Sequence, residues 1–255
     1  MVDYMKKLNL LALLFVCSIA FFASCDEDDP LVFYTGMGTV VDANSLPAID
    51  FDNAPVLLPA DPELLYACNA HHPGQRVITT FNYVGNEKDS RSILLRVVYR
   101  VLTKPFFPQP TAHQSDSLGH DGANLDAVWI AGGHLNLRFY ITGSFMNLAP
   151  HFINMICADP KPDAEGYVNL EFRHNANHDF PEVLKPGYVS FPLSSTSNGV
   201  KYRVCYKALD GTQRTLIVEP EQTVEPRFTE KELEGAFADM KLLLSAKHNN
   251  SLPTL

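Results

Sequence analysis

Val200-Lys201-Tyr202-Arg203-Val204-Cys205-Tyr206-Lys207 alternates apolar and polar side chains without a break. A period of two marks a half-buried strand, with one face in a core and the other in water. Val200, Tyr202, Val204 and Tyr206 form the inner face, and Arg203, Cys205 and Lys207 share the wet one. Ser197-Asn198-Gly199 before this stretch and Asp210-Gly211 after it are turn signals, and 213–218 reads as the next strand. Toward the N-terminus, 125–131, 134–142, 151–157, 167–174 and 188–193 read as further strands. Asp163-Ala164-Glu165-Gly166 and Lys185-Pro186-Gly187 are read as turns between them. About seven short strands at this spacing predict a β-sandwich over 125–220, with Trp129 in its core. The cysteines do not bracket the tryptophan as in true immunoglobulin domains, so the class is Ig-like only.

The first half is also strand-rich. Gly36 and Gly38 interrupt an apolar run at 31–41, as a bend or bulge does. Pro73-Gly74 is a turn, 75–84 alternates, and 92–102 is apolar with interleaved arginines. About five strands in this length suit a small closed barrel of OB type over 31–108. Pro108, Pro110, His113, Gln114 and Ser115 read as a linker over 109–124. Thr229-Glu230-Lys231-Glu232 is a capping box, and Leu233, Ala236, Phe237, Met240, Leu243 and Leu244 recur at helical spacing. The 221–255 extension is thus expected to hold an amphipathic helix at about 230–247 that covers the sandwich. The expected fold class is all-β: an N-terminal OB-like barrel, an Ig-like β-sandwich and a C-terminal amphipathic helix.

The start of the chain reads as an address. Lys6 and Lys7 precede an apolar stretch from Leu8 to Phe22, and the small Ala23 and Ser24 precede Cys25. This is the layout of a secretory signal over 1–24. Phe22-Ala23-Ser24-Cys25 resembles the bacterial lipobox, whose cysteine is acylated and becomes the first mature residue. Phe22 stands where an aliphatic residue is usual. Asp26, Glu27, Asp28 and Asp29 then form an acidic tether over 25–30. They resemble the sorting signal of surface-exported lipoproteins in Bacteroidota-type bacteria. The expected partner is therefore the outer membrane, through a lipid at Cys25, with the body on the cell surface; the alternative is the periplasmic leaflet.

The 255 residues carry a net charge of −9, and removing Asp3, Lys6 and Lys7 makes the chain one unit more negative. That excludes a nucleic-acid partner, which needs a basic surface. Arg91, Arg96, Arg100 and Lys104 are read as a solvated strand face. Cys68, Cys157 and Cys205 remain after processing, and a disulfide between Cys157 and Cys205 is disfavoured because their strand faces differ. His174 and His178 have helical zinc spacing but fall on a strand and a loop, so they are read as exposed loop histidines. Glu171 and Arg173 are read as an ion pair on an exposed strand face. No Gly-x-Ser-x-Gly elbow is present, and Gly132-Gly133 lies between strands, so it is a turn and not a phosphate loop. The expectation is a non-enzyme with no cofactor and no metal.

Three stretches of the second half carry a resemblance: Val128-Trp129-Ile130-Ala131-Gly132-Gly133-His134-Leu135-Asn136-Leu137, Gly166-Tyr167-Val168-Asn169-Leu170-Glu171-Phe172-Arg173-His174-Asn175 and Gly187-Tyr188-Val189-Ser190-Phe191-Pro192-Leu193-Ser194-Ser195. With Pro73-Gly74-Gln75-Arg76-Val77 and Val101-Leu102-Thr103-Lys104, they resemble the NigD-like lipoproteins over about 31–218. The resemblance implies an N-terminal OB domain and a C-terminal β-sandwich, and links the chain to a bacteriocin gene cluster by name. The helix after Thr229 departs from the family pattern. Two functions follow as expectations. One is an envelope lipoprotein that binds a protein partner in defence or interbacterial competition. The other is a glycan-binding lipoprotein using Phe33, Tyr34, Phe106, Phe107 or Tyr140 as stacking rings.

Overall fold

The structure, a computed structural model, describes residues 32–85, 90–146, 149–193 and 199–220. The first module has five strands: β1 (Tyr34–Ala43), β2 (Leu46–Phe51), β3 (Val56–Pro59), β4 (Arg76–Tyr83) and β5 (Ser92–Arg100). They pair in the order β1-β2-β3-β5-β4, and β4 pairs back onto β1, so the ring of ladders closes into a barrel. β1 serves both neighbours by bending. Its first half pairs with β4, its second half with β2, and Gly38 lies in both ladders. A Cβ on Gly38 would stand 2.7 Å from the Asp50 carbonyl oxygen, so the bend needs glycine. Helix α1 (Glu63–Ala67) lies between β3 and β4 in the chain, and its Leu65 joins Val40, Ile49, Leu57, Val77 and Ile93 in the barrel core.

The second module is a sandwich of β6 (Leu102–Thr103), β7 (Asn124–Ala131), β8 (His134–Gly143), β9 (Phe152–Ile156), β10 (Tyr167–Asn175), β11 (Val183–Pro192), β12 (Lys201–Lys207) and β13 (Gln213–Val218). Two four-stranded sheets, β13-β12-β10-β9 and β6-β11-β8-β7, face each other across a core that includes Leu135, Leu137, Phe139, Met155, Leu170 and Phe172. Burial alternates along β12 as the period-two reading requires, with Tyr202, Val204 and Tyr206 buried.

The expected fold class is corrected in several respects. The all-β class stands, with two short helices among the described residues. The C-terminal helix at about 230–247 lies outside the described residues. The sandwich is not Ig-like: β10 pairs with β12 and β6 with β11 in parallel, whereas immunoglobulin sheets are antiparallel. It also recruits β6 from the stretch assigned to the barrel. The 109–124 linker contains α2 (Ala112–Leu118), started by a capping box in which Thr111 and Gln114 satisfy each other's backbone N–H groups. Leu118 is buried at its end.

Three residues change place for reasons of register. Pro186 and Gly187 are not a turn but lie within β11, opposite Tyr140 and Phe139 of β8. A Cβ at Gly187 would stand 2.4 Å from the Phe139 ring, so the glycine is there to let that ring lie across the strand. Trp129 lies outside the sandwich core, in a third cluster with Met37, Ile78, Tyr99, Val101 and Tyr188, where barrel and sandwich meet. The cause is an irregularity in β7 between Leu125 and Ala127. Before it, odd-numbered Leu125 faces the sandwich core. After it, even-numbered Val128 and Ile130 do, and Trp129 turns to the other side.

Candidate functional site

Two buried polar clusters stand out. The first lies at the seam between barrel and sandwich. Arg76 of β4 forks onto Asp52 through Nη1–Oδ1 at 2.6 Å and Nη2–Oδ2 at 2.5 Å, and both side chains are 0% exposed. Arg76 also donates to Thr39 Oγ1 and, across the seam, to Asn136 Oδ1 of β8 at 3.2 Å. Ser190 of β11 donates to the same Asn136 oxygen at 2.7 Å. Gly132, at the β7–β8 turn, gives the carboxylate its room: a Cβ there would stand 2.3 Å from Asp52 Oδ1. The seam joins the modules through the Arg76–Asn136 hydrogen bond, and the Arg76 and Asp52 side chains are closed off from solvent.

The second cluster lies at one end of the sandwich. Gly143 ends β8 opposite Val183, the start of β11, and Phe152 starts β9 opposite Asn175, the end of β10. The β8–β9 and β10–β11 loops therefore emerge together. In the second loop Asn177 and His178 both have positive φ, 51° and 62°, a conformation that disfavours side chains with a Cβ. This turn holds Asp179 inward. Asp179 Oδ2 accepts from the Ser144 N–H at 2.7 Å and contacts His151 Nε2 at 3.0 Å. His151 Nδ1 meets His174 Nε2 at 2.7 Å with the rings stacked 11° from parallel, and His174 Nδ1 donates to the Gly122 carbonyl at 3.0 Å. Glu182 accepts from the Phe145 N–H at 2.8 Å, and its own N–H donates to the Gly143 carbonyl.

The surroundings set the charge states. Burial pushes the His174 imidazole down to about 4, against the pull of the Gly122 carbonyl and Asp121 and helped by neighbouring His151. Burial raises the Asp179 carboxyl, but hydrogen bonds from Ser144, His151 and the Phe180 backbone outweigh it and hold the group well below the carboxylate range. On the outside of this braced end several large apolar side chains are exposed beside His178 and Glu182. Phe145 is 78% exposed, Met146 72%, Phe180 63% and Leu184 58%.

The residues singled out from sequence are distributed differently. Cys25, Asp26, Glu27, Asp28 and Asp29 lie outside the described residues. His174 is not an exposed loop histidine but is buried in the cluster above, and its partner is His151 rather than His178. Arg173 does pair with Glu171, at 2.7 Å, but is buried because α2 lies over it and Ser115 accepts two of its hydrogen bonds. Lys104 is half-buried and bound to the Ile153 carbonyl and Asn154, which leaves Arg91 and Arg96 as the exposed members of its group. Cys68, Cys157 and Cys205 are all free thiols. Cys205 lines a shallow open groove with Thr111, Ser115, Asn169 and Glu171, and burial there brings no reactive set together. Of the proposed stacking rings, Tyr34 packs on Phe81 and Tyr83, Phe106 on Phe191, and Phe107 straps the β9 edge through hydrogen bonds to Met155 and Cys157. Among the described residues no group of His, Cys, Asp and Glu side chains has metal-binding geometry.

A closed barrel and a two-sheet sandwich with parallel ladders, linked across their seam by the Arg76–Asn136 hydrogen bond, define the class of protein. Several solved proteins from Bacteroides and Parabacteroides species are similar in fold. A protein of unknown function from Bacteroides vulgatus is 22% identical, with a TM-score of 0.64 over 80% of this chain and 100% of that one. A protein described as toxin-related from Parabacteroides distasonis is 25% identical, with a TM-score of 0.59 over 82% and 100%. A NigD-like immunity protein from Bacteroides caccae is 16% identical, with a TM-score of 0.53 over 74% and 92%. Residues 105–219 match the NigD-like C-terminal beta sandwich domain, so this part of the chain is a NigD-like sandwich domain. No curated protein matches the chain.

Proposed function

We propose that this chain is a non-enzymatic envelope lipoprotein that docks a protein partner with the braced loop end of its sandwich. Its setting is envelope defence or interbacterial competition. The observation that carries the reading is the quartet Phe145, Met146, Phe180 and Leu184. These are large apolar side chains more than half exposed, three on loops tied down by Asp179 and Glu182 and Leu184 at the start of β11 beside them. Side chains held in place before binding lose little freedom when a partner covers them, which is how a few anchors dominate an interface. A lipid surface fits less well, because interfacial segments favour basic flanks and these loops carry Asp179 and Glu182. A toxin-related protein and an immunity protein among the similar structures support the setting.

The test is cross-linking on intact cells, comparing the full chain with Phe145→Ser/Phe180→Ser and with Leu46→Ser, an exposed barrel position. A protein captured by wild type and by Leu46→Ser but lost with the loop variant supports the docking end. Capture that survives the loop variant overturns it. The anchor reading belongs to the same proposal: acylation at Cys25, outer-membrane attachment, and surface display directed by Asp26–Asp29. Cys25→Ala is expected to abolish labelling with an alkyne fatty acid, and persistent label refutes the anchor.

A further inference from the structure

We propose that His151 and His174 form a one-proton latch that governs how the apolar loop end is presented, an inference that rests on that end being the docking surface. The argument is a count of hydrogens. The two rings have four nitrogens, and three contacts need a hydrogen from them. The Gly122 carbonyl takes one from His174 Nδ1, the Asp179 carboxylate takes one from His151 Nε2, and the 2.7 Å contact between His151 Nδ1 and His174 Nε2 needs one between two nitrogens. Two neutral imidazoles carry only two N–H groups. Satisfying all three contacts therefore requires one extra proton and one positive charge, which Asp179 balances.

The charge sits on His151. His174 is the deeper ring, 2% exposed, and its surroundings oppose a charge on it. The other charged groups around the pair are few. Glu182 is bound to Phe145 N–H on the same loop as Asp179. Lys185 of β11 lies beside Gly143, where the Asp179 oxygen and His151 Nε2 also converge. Asp121, on the segment entering β7, accepts from the Ala176 N–H. Arg173, next to His174 in the chain, is turned to α2 and Glu171.

Losing the proton leaves two hydrogens for three contacts. One contact must then give way: the two ring nitrogens face each other lone pair to lone pair at 2.7 Å and part, or His174 moves its hydrogen to Nε2 and leaves the Gly122 carbonyl, or His151 keeps the inter-ring contact and releases Asp179, and only the first and last of these pull on His151's side of the pair. The Asp179 oxygen that meets His151 is the one that accepts the Ser144 N–H, so the change reaches the Ser144–Phe145 backbone directly. The protonated latch holds the loop end, and deprotonation loosens it.

The test needs no partner. Side-chain ¹H–¹⁵N spectra of the full chain are recorded between about pH 5 and about pH 8, where an imidazole changes charge. At the acid end three of the four ring nitrogens should carry hydrogen and His174 Nε2 should be bare. Toward the alkaline end one hydrogen should leave, and the Ser144 and Phe145 amide signals should shift with it. Two protonated nitrogens throughout, or amide signals that stay still while the proton leaves, overturn the latch. His151→Gln, which cannot take the proton, should abolish the amide shifts, and their persistence also overturns it. If that variant does not fold, the wild-type spectra decide. A silent histidine pair alongside capture that depends on Phe145 and Phe180 sinks the latch alone. A titrating pair alongside capture indifferent to those residues sinks the docking surface.

Discussion

The seam and the loop end are built on the same device and differ in its parts. Each centres on a carboxylate whose side chain is 0% exposed, Asp52 at the seam and Asp179 at the loop end. Asp52 is met by the two-pronged guanidinium of Arg76, which keeps its charge at any pH a protein experiences. Arg76 is on β4 and its further partners Thr39 and Asn136 are on β1 and β8, and at the meeting of the two modules Trp129 and Tyr188 pack with Met37, Ile78 and Tyr99. Asp179 is met by a backbone N–H and an imidazole, in a loop with two consecutive residues in the left-handed region. The apolar residues around it point outward. A permanent cation between strands makes a fixed joint, whereas a titratable ring between loops makes an adjustable one.

The comparison is broken most directly at the seam. Arg76→Met is expected to cost about 3–5 kcal/mol in chemical denaturation, because it leaves the Asp52 carboxylate buried without a counter-charge. Arg76→Met with Asp52→Leu should recover most of that loss, since well-packed apolar pairs replace buried ion pairs at little cost. A single variant that loses less than about 1 kcal/mol would mean that water reaches Asp52. Asp179→Ala is the matching cut at the loop end. It removes the acceptor shared by Ser144, His151 and the Phe180 backbone, so ~1–3 kcal/mol is expected, with hydrogen exchange quickened at Ser144 and Phe145 rather than across the sheets.

Acid distinguishes the two regions next. In the folded chain His174 stays neutral down to about 4, while an unfolded histidine takes its proton at ~6.5. The unfolded state therefore binds more protons across that window, and stability falls as pH drops through it. Asp179 adds to the loss only lower down, because a depressed carboxyl contributes in full above its ordinary value of ~3.9 and gives that up below it. His174→Gln should flatten the fall in denaturation midpoint between about pH 6.5 and about pH 4. An unchanged slope would place the acid-sensitive group elsewhere.

What the sequence disclosed depended on how local the signal was. The alternation at 200–207 matches β12, and 213–218 matches β13, because a strand with one face in a core writes its period directly. Trp129 was misplaced by one irregularity in β7, which changes which residues face inward and leaves no mark in composition. Lys185-Pro186-Gly187 has turn chemistry, yet the Phe139 ring across Gly187 makes it a strand, and that ring is on another element. The start of helix α2 is legible in Thr111 and Gln114, a capping box set among prolines whose own chemistry indicates a linker. The candidate site was the least legible. His174 and His151 lie 23 residues apart and meet because β9 and β10 pair in one register. The evident sequence spacing, His174 to His178, pointed to the wrong partner.

The smallest effect on stability is expected where the largest effect on function is. Phe145→Ser and Phe180→Ser remove rings that are mostly in water in the folded chain, so each should change stability by no more than ~0.5 kcal/mol. If the rings are anchors for a partner, each should weaken capture by about 2 kcal/mol, ~30-fold in affinity. A serine variant that is as stable as wild type and fails to capture separates presentation from folding. It also accounts for why the loops carry a strained turn and two carboxylate ties. Those features hold in place side chains that contribute little to the chain's own core. A variant that loses several kcal/mol instead would make the rings part of the folded core and return the loop end to the same category as the seam.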